Sequence, residues 1–299
     1  MALLYFYRNN VDFVVLETGL GGLYDCTNII SHPLVSIITS IGYDHMHILG
    51  NTLPEIAEQK AGIIKENSNT IFFEQSQDVN RVFMEKCKEK NNNLHLLKKS
   101  QISNYTYDNN FQYFDFKNFK KIEVILKGKK QIQNSCLCIE CMQILQDLGY
   151  EISENSIREG LKTVVHKARM ETLSKNPLII YDGAHNEPAI QNLKDMVNMY
   201  YKNFKKTYII SILQSKDYNT ILKLLLEDNN ADFIFTSGND ETKYVSKETL
   251  YDIALQYRKN QKLYKKSLSE AIYFIKENPS DVNLIVGSFY IYSNILELL

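Results

Sequence analysis

V-D-F-V-V-L-E-T-G-L-G-G-L-Y-D-C, residues 11–26, is the stretch whose reading decides the fold. Its first six residues have the β-branched and aromatic content of a buried parallel strand, and the run stops at Glu17, ahead of Gly19, Gly21 and Gly22. A strand ending this way delivers a carboxylate to the edge of an open α/β sheet on which ligands bind. The pattern recurs at residues 34–41, L-V-S-I-I-T-S-I, which end in Gly42-Tyr43-Asp44-His45. After Gly50, Thr52-Leu53-Pro54-Glu55 reads as a capping box opening a helix through Ala61, and residues 69–74 supply the next strand.

Glu17 and His45, brought to one rim by neighbouring parallel strands, combine a hard oxygen with an imidazole, the donor character of a divalent-metal site. Residue type alone leaves other readings open: Glu17 as a carboxylate capping a helix or loop, His45 as a hydrogen-bonded loop histidine. Their matching positions at two strand ends favour the metal.

The 299 residues carry 34 Lys and Arg against 35 Asp and Glu, a net charge of -1. No overall basic field therefore argues for nucleic acid or an anionic membrane. No apolar run is long enough to span a bilayer, and the first seven residues lack the length and small-residue site of a signal peptide, so a cytoplasmic protein is expected. The length suits two domains. Five cysteines without secretory context fit reduced thiols. Cys136, Cys138 and Cys141 have a zinc-like spacing, but they lie in the helix-periodic segment 134–148 with no fourth ligand nearby, and packing explains them better.

Taken in order, Ala2 to Arg8 reads as the tail of a helix that stops at Asn9-Asn10. An amphipathic helix containing Val79, Val82, Phe83 and Cys87 precedes a short strand at residues 94–97. Residues 105–126 alternate aromatic and polar positions and suggest a small antiparallel meander. Its interleaved lysines could stack single-stranded nucleic acid, but half-buried strands with a solvated lysine face suit the neutral charge better. The cysteine-bearing helix follows, and Ser153 opens another to about Val165. A second α/β unit begins after His166-Lys167-Ala168-Arg169. Its first strand, residues 178–181, leads to Asp182-Gly183-Ala184-His185-Asn186, with Asn186 as helix N-cap and Pro188 in the first turn. Strands at 208–213, 233–236 and 284–286 alternate with helices, the pattern of a small doubly wound sheet.

Three ordered blocks carry a resemblance: V-V-L-E-T-G-L-G-G-L-Y-D-C-T-N-I-I, T-S-I-G-Y-D-H and E-Q-K-A-G-I-I-K. They resemble the signature blocks of the folylpolyglutamate synthase/dihydrofolate synthase family of the Mur ligase superfamily, as do Y-D-G-A-H-N and V-G-S-F-Y further on. The resemblance implies an α/β protein: a P-loop-type central domain with a mainly parallel sheet at 1–166, and a smaller Rossmann-like C-terminal domain at 167–299. That family places a phosphate loop of the form G-x-x-G-K-[ST] upstream of the strand ending at Glu17, and residues 1–11 contain none. The apolar first strand would need cover on both faces, so a truncated central domain, incomplete at its N-terminus, is expected.

The implied reaction is ATP-dependent ligation: a folate or dihydropteroate carboxylate is phosphorylated, and the amino group of L-glutamate attacks the acyl phosphate. By the same resemblance Glu17 and His45 match magnesium ligands. Lys60, carbamylated in the family, and His185 match catalytic positions, His185 on the acyl-phosphate and glutamate side. Asn134, Arg169 and Asp182 match positions at the ATP, and Tyr24, Asp25 and Cys26 match the pterin-side substrate loop. ATP and Mg2+ are thus the implied cofactors, small molecules the implied partners, and a monomer the expected state. The chain departs from the family at Leu23, where arginine is usual, at Lys130, where histidine is usual, and at Lys167-Ala168, where proline-glycine is usual. Two other functional classes compete with this reading. A nicotinamide-binding oxidoreductase fails because Tyr24 stands at the final glycine of G-x-G-x-x-G. A noncatalytic folate- or nucleotide-binding protein lacking the phosphate loop is the stronger rival. With no glycine-rich nest to orient the phosphates, these 299 residues are expected to show no appreciable ligase activity.

Overall fold

The computed structural model describes residues 1–238, 240, 242–257 and 260–299, and its two compact units are residues 1–102 with 133–157, and residues 103–132 with 158–299. The first holds α1 (Ala2–Arg8), β1 (Val35–Ile38), α2 (Met46–Leu49), α3 (Leu53–Ala61), β2 (Asn69–Phe73), α4 (Gln77–Glu89), β3 (Asn93–Leu97) and most of α5 (Lys129–Asp147). Its sheet runs β1-β2-β3, all parallel. Ile38, Phe72, Phe83, Val79, Ala57 and Ala61 form the core, with the Phe72 and Phe83 rings 4.9 Å apart. The capping box forms as read: Thr52 accepts from the Glu55 amide, and the Glu55 carboxylate accepts from the Thr52 amide.

The strand expected at residues 11–16 does not form. That segment is irregular, and Phe13, Val14 and Leu16 are exposed while Val15 is 100% exposed. A parallel strand exists only through its ladder partners, and among the described residues none pairs with this segment, not even β1 at the sheet's edge. Apolar composition alone supplies no backbone partner.

In the second unit, β4 (Ile102–Tyr107), β5 (Gln112–Phe116) and β6 (Phe119–Val124) form the expected meander, in that order. After α6 (Glu154–Thr163) come β7 (Glu171–Lys175), β8 (Leu178–Asp182), α7 (Glu187–Tyr201), β9 (Lys206–Ile210), α8 (Tyr218–Leu225), β10 (Ala231–Phe235), α9 (Lys247–Tyr257), β11 (Leu263–Lys265), α10 (Leu268–Glu277), β12 (Val282–Val286) and α11 (Tyr292–Leu298). The six-stranded order is β11-β10-β9-β12-β8-β7, parallel except for β7. Alternation along the strands sends Ile180, Ile210, Phe233 and Leu284 to one face, under α7, α8 and α9. It sends Ile179, Ile209, Ile234 and Ile285 to the other, under α10 and α11. The sheet is doubly wound. Sequence periodicity missed β7 and β11, both short edge strands.

The units divide the chain differently from the 1–166 and 167–299 expected, because the meander falls with the six-stranded sheet. The reason lies in its contacts with α7: the Tyr105 hydroxyl is 3.8 Å from the Met199 sulfur, and the Lys127 ammonium is 4.9 Å from the Tyr200 ring centroid.

Candidate functional site

In the first unit the glycine-rich stretch docks on the C-terminal end of α3 through backbone. The Leu23 amide donates to the Gln59 carbonyl at 2.7 Å. Gly62 permits this approach, since a β-carbon there would overlap the Leu23 backbone. Asn28 then ties the loop down by donating to the carbonyls of Leu23 and Gly62, each at 3.1 Å. Within the loop, Asp25 accepts from the Leu20 amide at 2.7 Å, the Thr27 amide at 2.9 Å and the Thr27 hydroxyl at 2.6 Å. The Thr27 hydroxyl, followed by those amides, holds the Asp25 carboxyl below the usual carboxylate range. Tyr24 and Cys26 flank it and are exposed, so of the three substrate-loop positions two face solvent and the third organises the turn.

His45 takes a left-handed conformation, φ 50°, as the N-cap of α2, and its amide donates to the Asp44 carboxylate at 2.9 Å. Glu17 is exposed at the end of the irregular segment. Both side chains are accessible, a carboxylate and an imidazole of the kind that can complete a magnesium shell otherwise made of phosphate and water. The neighbouring strands expected to bring them to one rim are not both formed, however, since residues 11–16 pair with no strand among the described residues. Among the described residues no group of three or more His, Cys, Asp or Glu forms a protein-only metal cage, and the three cysteines of α5 are free thiols, not gathered at one centre. Lys60 is half-buried in the last turn of α3. Burial holds its ammonium below the ordinary lysine value, against the opposing pull of Asp44. Asn134 lies inside α5, five residues past its start at Lys129.

In the second unit the strand β8 ends on Asp182, only 3% exposed. Both of its carboxylate oxygens accept from backbone: Oδ2 from the Met170 amide and Oδ1 from the Ala184 amide, each at 2.9 Å. Burial raises the Asp182 pKa, with those two hydrogen bonds and the Arg169 charge opposing. The turn it pins is strained. Ala168 at φ 58° and Met170 at φ 45° are both left-handed non-glycine residues, and Arg169 is presented between them. Two further bonds hold the turn: the Ala168 amide donates to the Glu171 carboxylate at 2.6 Å, and the Gly183 amide to the Ala168 carbonyl at 2.9 Å. On the other side of Asp182, the His185 Nδ1 lies 2.8 Å from the Gly183 carbonyl, and Asn186 caps α7 by accepting from the Ala189 amide at 3.0 Å. Arg169, Asp182 and His185 thus gather around one strand end. Sequence reasoning missed Phe289, whose ring packs on Gly183 beside both Arg169 and His185. Its signal was the V-G-S-F-Y block.

Residues 1–142 match the Mur ligase middle domain, and residues 165–298 match the dihydrofolate synthetase C-terminal domain. The chain is 33% identical over 303 residues to the dihydrofolate synthase/folylpolyglutamate synthase of Bacillus subtilis (strain 168), a match covering 98% of this chain and 69% of that protein. The chain belongs to the folylpolyglutamate synthase/dihydrofolate synthase family. This family is a class of acid–amino-acid ligases of folate metabolism. The probable dihydrofolate synthetase of Schizosaccharomyces pombe is 28% identical over 300 residues, covering 96% of this chain and 70% of that one. Among solved structures, folylpolyglutamate synthase from Thermotoga maritima superposes with a TM-score of 0.82 at 27% identity, covering all of this chain and 68% of that one. The Mycobacterium tuberculosis enzyme complexed with ADP and AMPPCP reaches 0.84 at 22% identity, covering 96% and 68%, and shares the fold. The α/β, mainly parallel architecture expected from the sequence is the fold of these synthases.

Proposed function

We propose that this chain catalyses ATP-dependent addition of L-glutamate to the carboxylate of a folate or dihydropteroate. The observation that carries the reading is the strained turn at the end of β8, where buried Asp182 pins the backbone that presents Arg169 and where His185 begins the next loop. Strain of this kind persists only where surrounding structure over-determines it, and it clusters at sites of function.

In the reaction, the acceptor carboxylate oxygen attacks the γ-phosphorus of ATP and ADP leaves. The glutamate amine then attacks the acyl carbon, and phosphate departs with the amide formed. Arg169 supplies positive charge to phosphate oxygens, and Asp182 keeps Arg169 in place. By the resemblance, His185 is assigned to the acyl phosphate and glutamate, Asn134 to the adenine, and Tyr24, Asp25 and Cys26 to the pterin. Glu17 and His45 would hold Mg2+, which when bound neutralises charge between the phosphates and the incoming carboxylate. A carbamate on Lys60 would add a further oxygen ligand. A related folylpolyglutamate synthase, 25% identical, has been solved with AMPPCP, which supports the nucleotide. The family matches end at 142 and resume at 165, which supports a domain boundary near 166.

The test is ADP release by the purified 299-residue chain with ATP, Mg2+, L-glutamate and either dihydropteroate or tetrahydrofolate. Glutamate-dependent release supports the ligase reading and overturns the expectation that a chain without the phosphate loop does not turn over. Nucleotide binding without release identifies the noncatalytic alternative, and neither binding nor release rejects both.

A further inference from the structure

We propose that Phe289 is a positioning residue, its ring setting the orientation of the Arg169 guanidinium and the His185 imidazole at the end of β8. What those two groups do rests on the ligase reading above; the arrangement itself does not. The Arg169 guanidinium carbon lies 5.0 Å from the centroid of the Phe289 ring, and the His185 ring packs T-shaped against it, centroids 5.4 Å apart. Phe289 also touches the backbone between them, because a β-carbon on Gly183 would overlap its ring. One side chain therefore meets the strained turn, the loop after Asp182 and the base of the histidine.

The ring is itself fixed from the preceding residue. Ser288 accepts from the buried Tyr181 hydroxyl through its carbonyl, and from the Tyr290 amide through its hydroxyl at 3.1 Å. The backbone carrying Phe289 is thus tied to β8, the strand that ends at Asp182, and β12 and β8 pair directly, Val286 opposite Asp182.

An aromatic ring suits this task on electrostatic grounds. Arginine has a long side chain with much rotamer freedom, and the negative face of a ring restrains its planar cation without neutralising it. A carboxylate partner would compete with a phosphate for the same guanidinium hydrogens. The carboxylate that is near, Asp182, already has both oxygens occupied by backbone amides. The ring gives Arg169 a direction without taking up its hydrogen-bond donors, and the edge-on contact gives the imidazole one ring plane.

The experiment compares the wild-type chain with Phe289→Leu, Phe289→Tyr and Phe289→Met, each checked for folding by circular dichroism. Two quantities are read: the His185 ring-proton shifts by NMR, assigned against His185→Gln, and ADP affinity by calorimetry with Mg2+. Phe289→Leu is expected to move the His185 signals towards those of a solvated imidazole and to weaken ADP about three- to tenfold, the range of one cation–π contact. Phe289→Tyr, which keeps the ring, restores both to within about twofold of wild type. In an Arg169→Lys background, Phe289→Leu adds less than about twofold, since the residue it positions has gone. Unchanged His185 signals in a folded Phe289→Leu overturn the proposal, as does a loss of affinity that is additive with Arg169→Lys. Should the leucine variant not fold, Phe289→Met is judged by the same criteria. If wild type binds no ADP, the ligase reading of Arg169 fails, and the His185 shifts still decide whether Phe289 positions these groups.

Discussion

Two side chains in the first unit have lowered pKa values for opposite reasons: hydrogen bonds favour the charged form of Asp25, and burial disfavours the charged form of Lys60. Asp25 is held in its charged form by three donors, so its pKa in the folded protein lies below its unfolded value. Stabilisation from this group is therefore present above the unfolded carboxylate range and is lost as pH falls through the lowered folded value. Titration followed by NMR should show the Asp25 carboxyl carbon and the amides of Leu20 and Thr27 changing together, below the ordinary aspartate pKa. A midpoint at or above it would contradict the hydrogen-bonded turn. Lys60 is depressed by burial, which raises its neutral fraction at a given pH above that of a solvated lysine. A carbamate forms only from the neutral amine, which takes up carbon dioxide and releases a proton. Incubation with 13C-bicarbonate at pH 8 should give a carbamate resonance that Lys60→Ala removes; the same resonance in Lys60→Ala would exclude this residue.

At the scale of elements, α3 is held at both ends by features visible in its own sequence and by one that is not. Its start is the Thr52–Glu55 capping box, and its end is the seat of the glycine-rich loop. Gly62→Ala should lift that loop, because the added methyl would overlap the Leu23 backbone, which has no side-chain freedom with which to yield. A loss of about 1–3 kcal/mol is expected from such overpacking, seen as a lower urea midpoint together with faster exchange of the Leu23 amide. Unaltered exchange would mean that the loop is not seated there. The turn before β7 makes a similar point. Ala168 occupies a left-handed position where the family usually has glycine, and the strain is borne by bonds from Ala168 to Glu171, from Met170 to Asp182 and from Gly183 to Ala168.

At the scale of the whole molecule, the doubly wound sheet buries an apolar core on each of its two faces, each covered by helices. Phe233 on β10 is wholly buried and stacks on Tyr208 with centroids 5.4 Å apart. Phe233→Ala should cost about 3–5 kcal/mol, through lost transfer energy and the cavity left behind. Urea unfolding would show it as a lower midpoint at unchanged slope, and an unshifted midpoint would mean that the second unit relaxes around the void. Against this covered core stands the exposed apolar run at residues 13–16. Contiguous exposure of that kind favours self-association.

The sequence by itself determined the family, the alternation of strands and helices, the capping box at Thr52, the N-cap at Asn186 and the blocks that carry the candidate site. All are local: a cap needs three neighbouring residues, and a helix face needs only a period. Residues 11–16 mark where local reading stops, since their composition is that of a strand and only a ladder partner makes one. The short edge strands β7 and β11 were illegible for the converse reason: their place comes from pairing with β8 and β10, not from their own side chains. Tertiary structure also decided that Asp182 spends both oxygens on backbone amides, that Arg169 stands on a strained turn, and that Phe289, more than a hundred residues along the chain, lies against it. Contacts between residues so distant in sequence depend on the register of β12 against β8, and no single stretch of chain encodes that register.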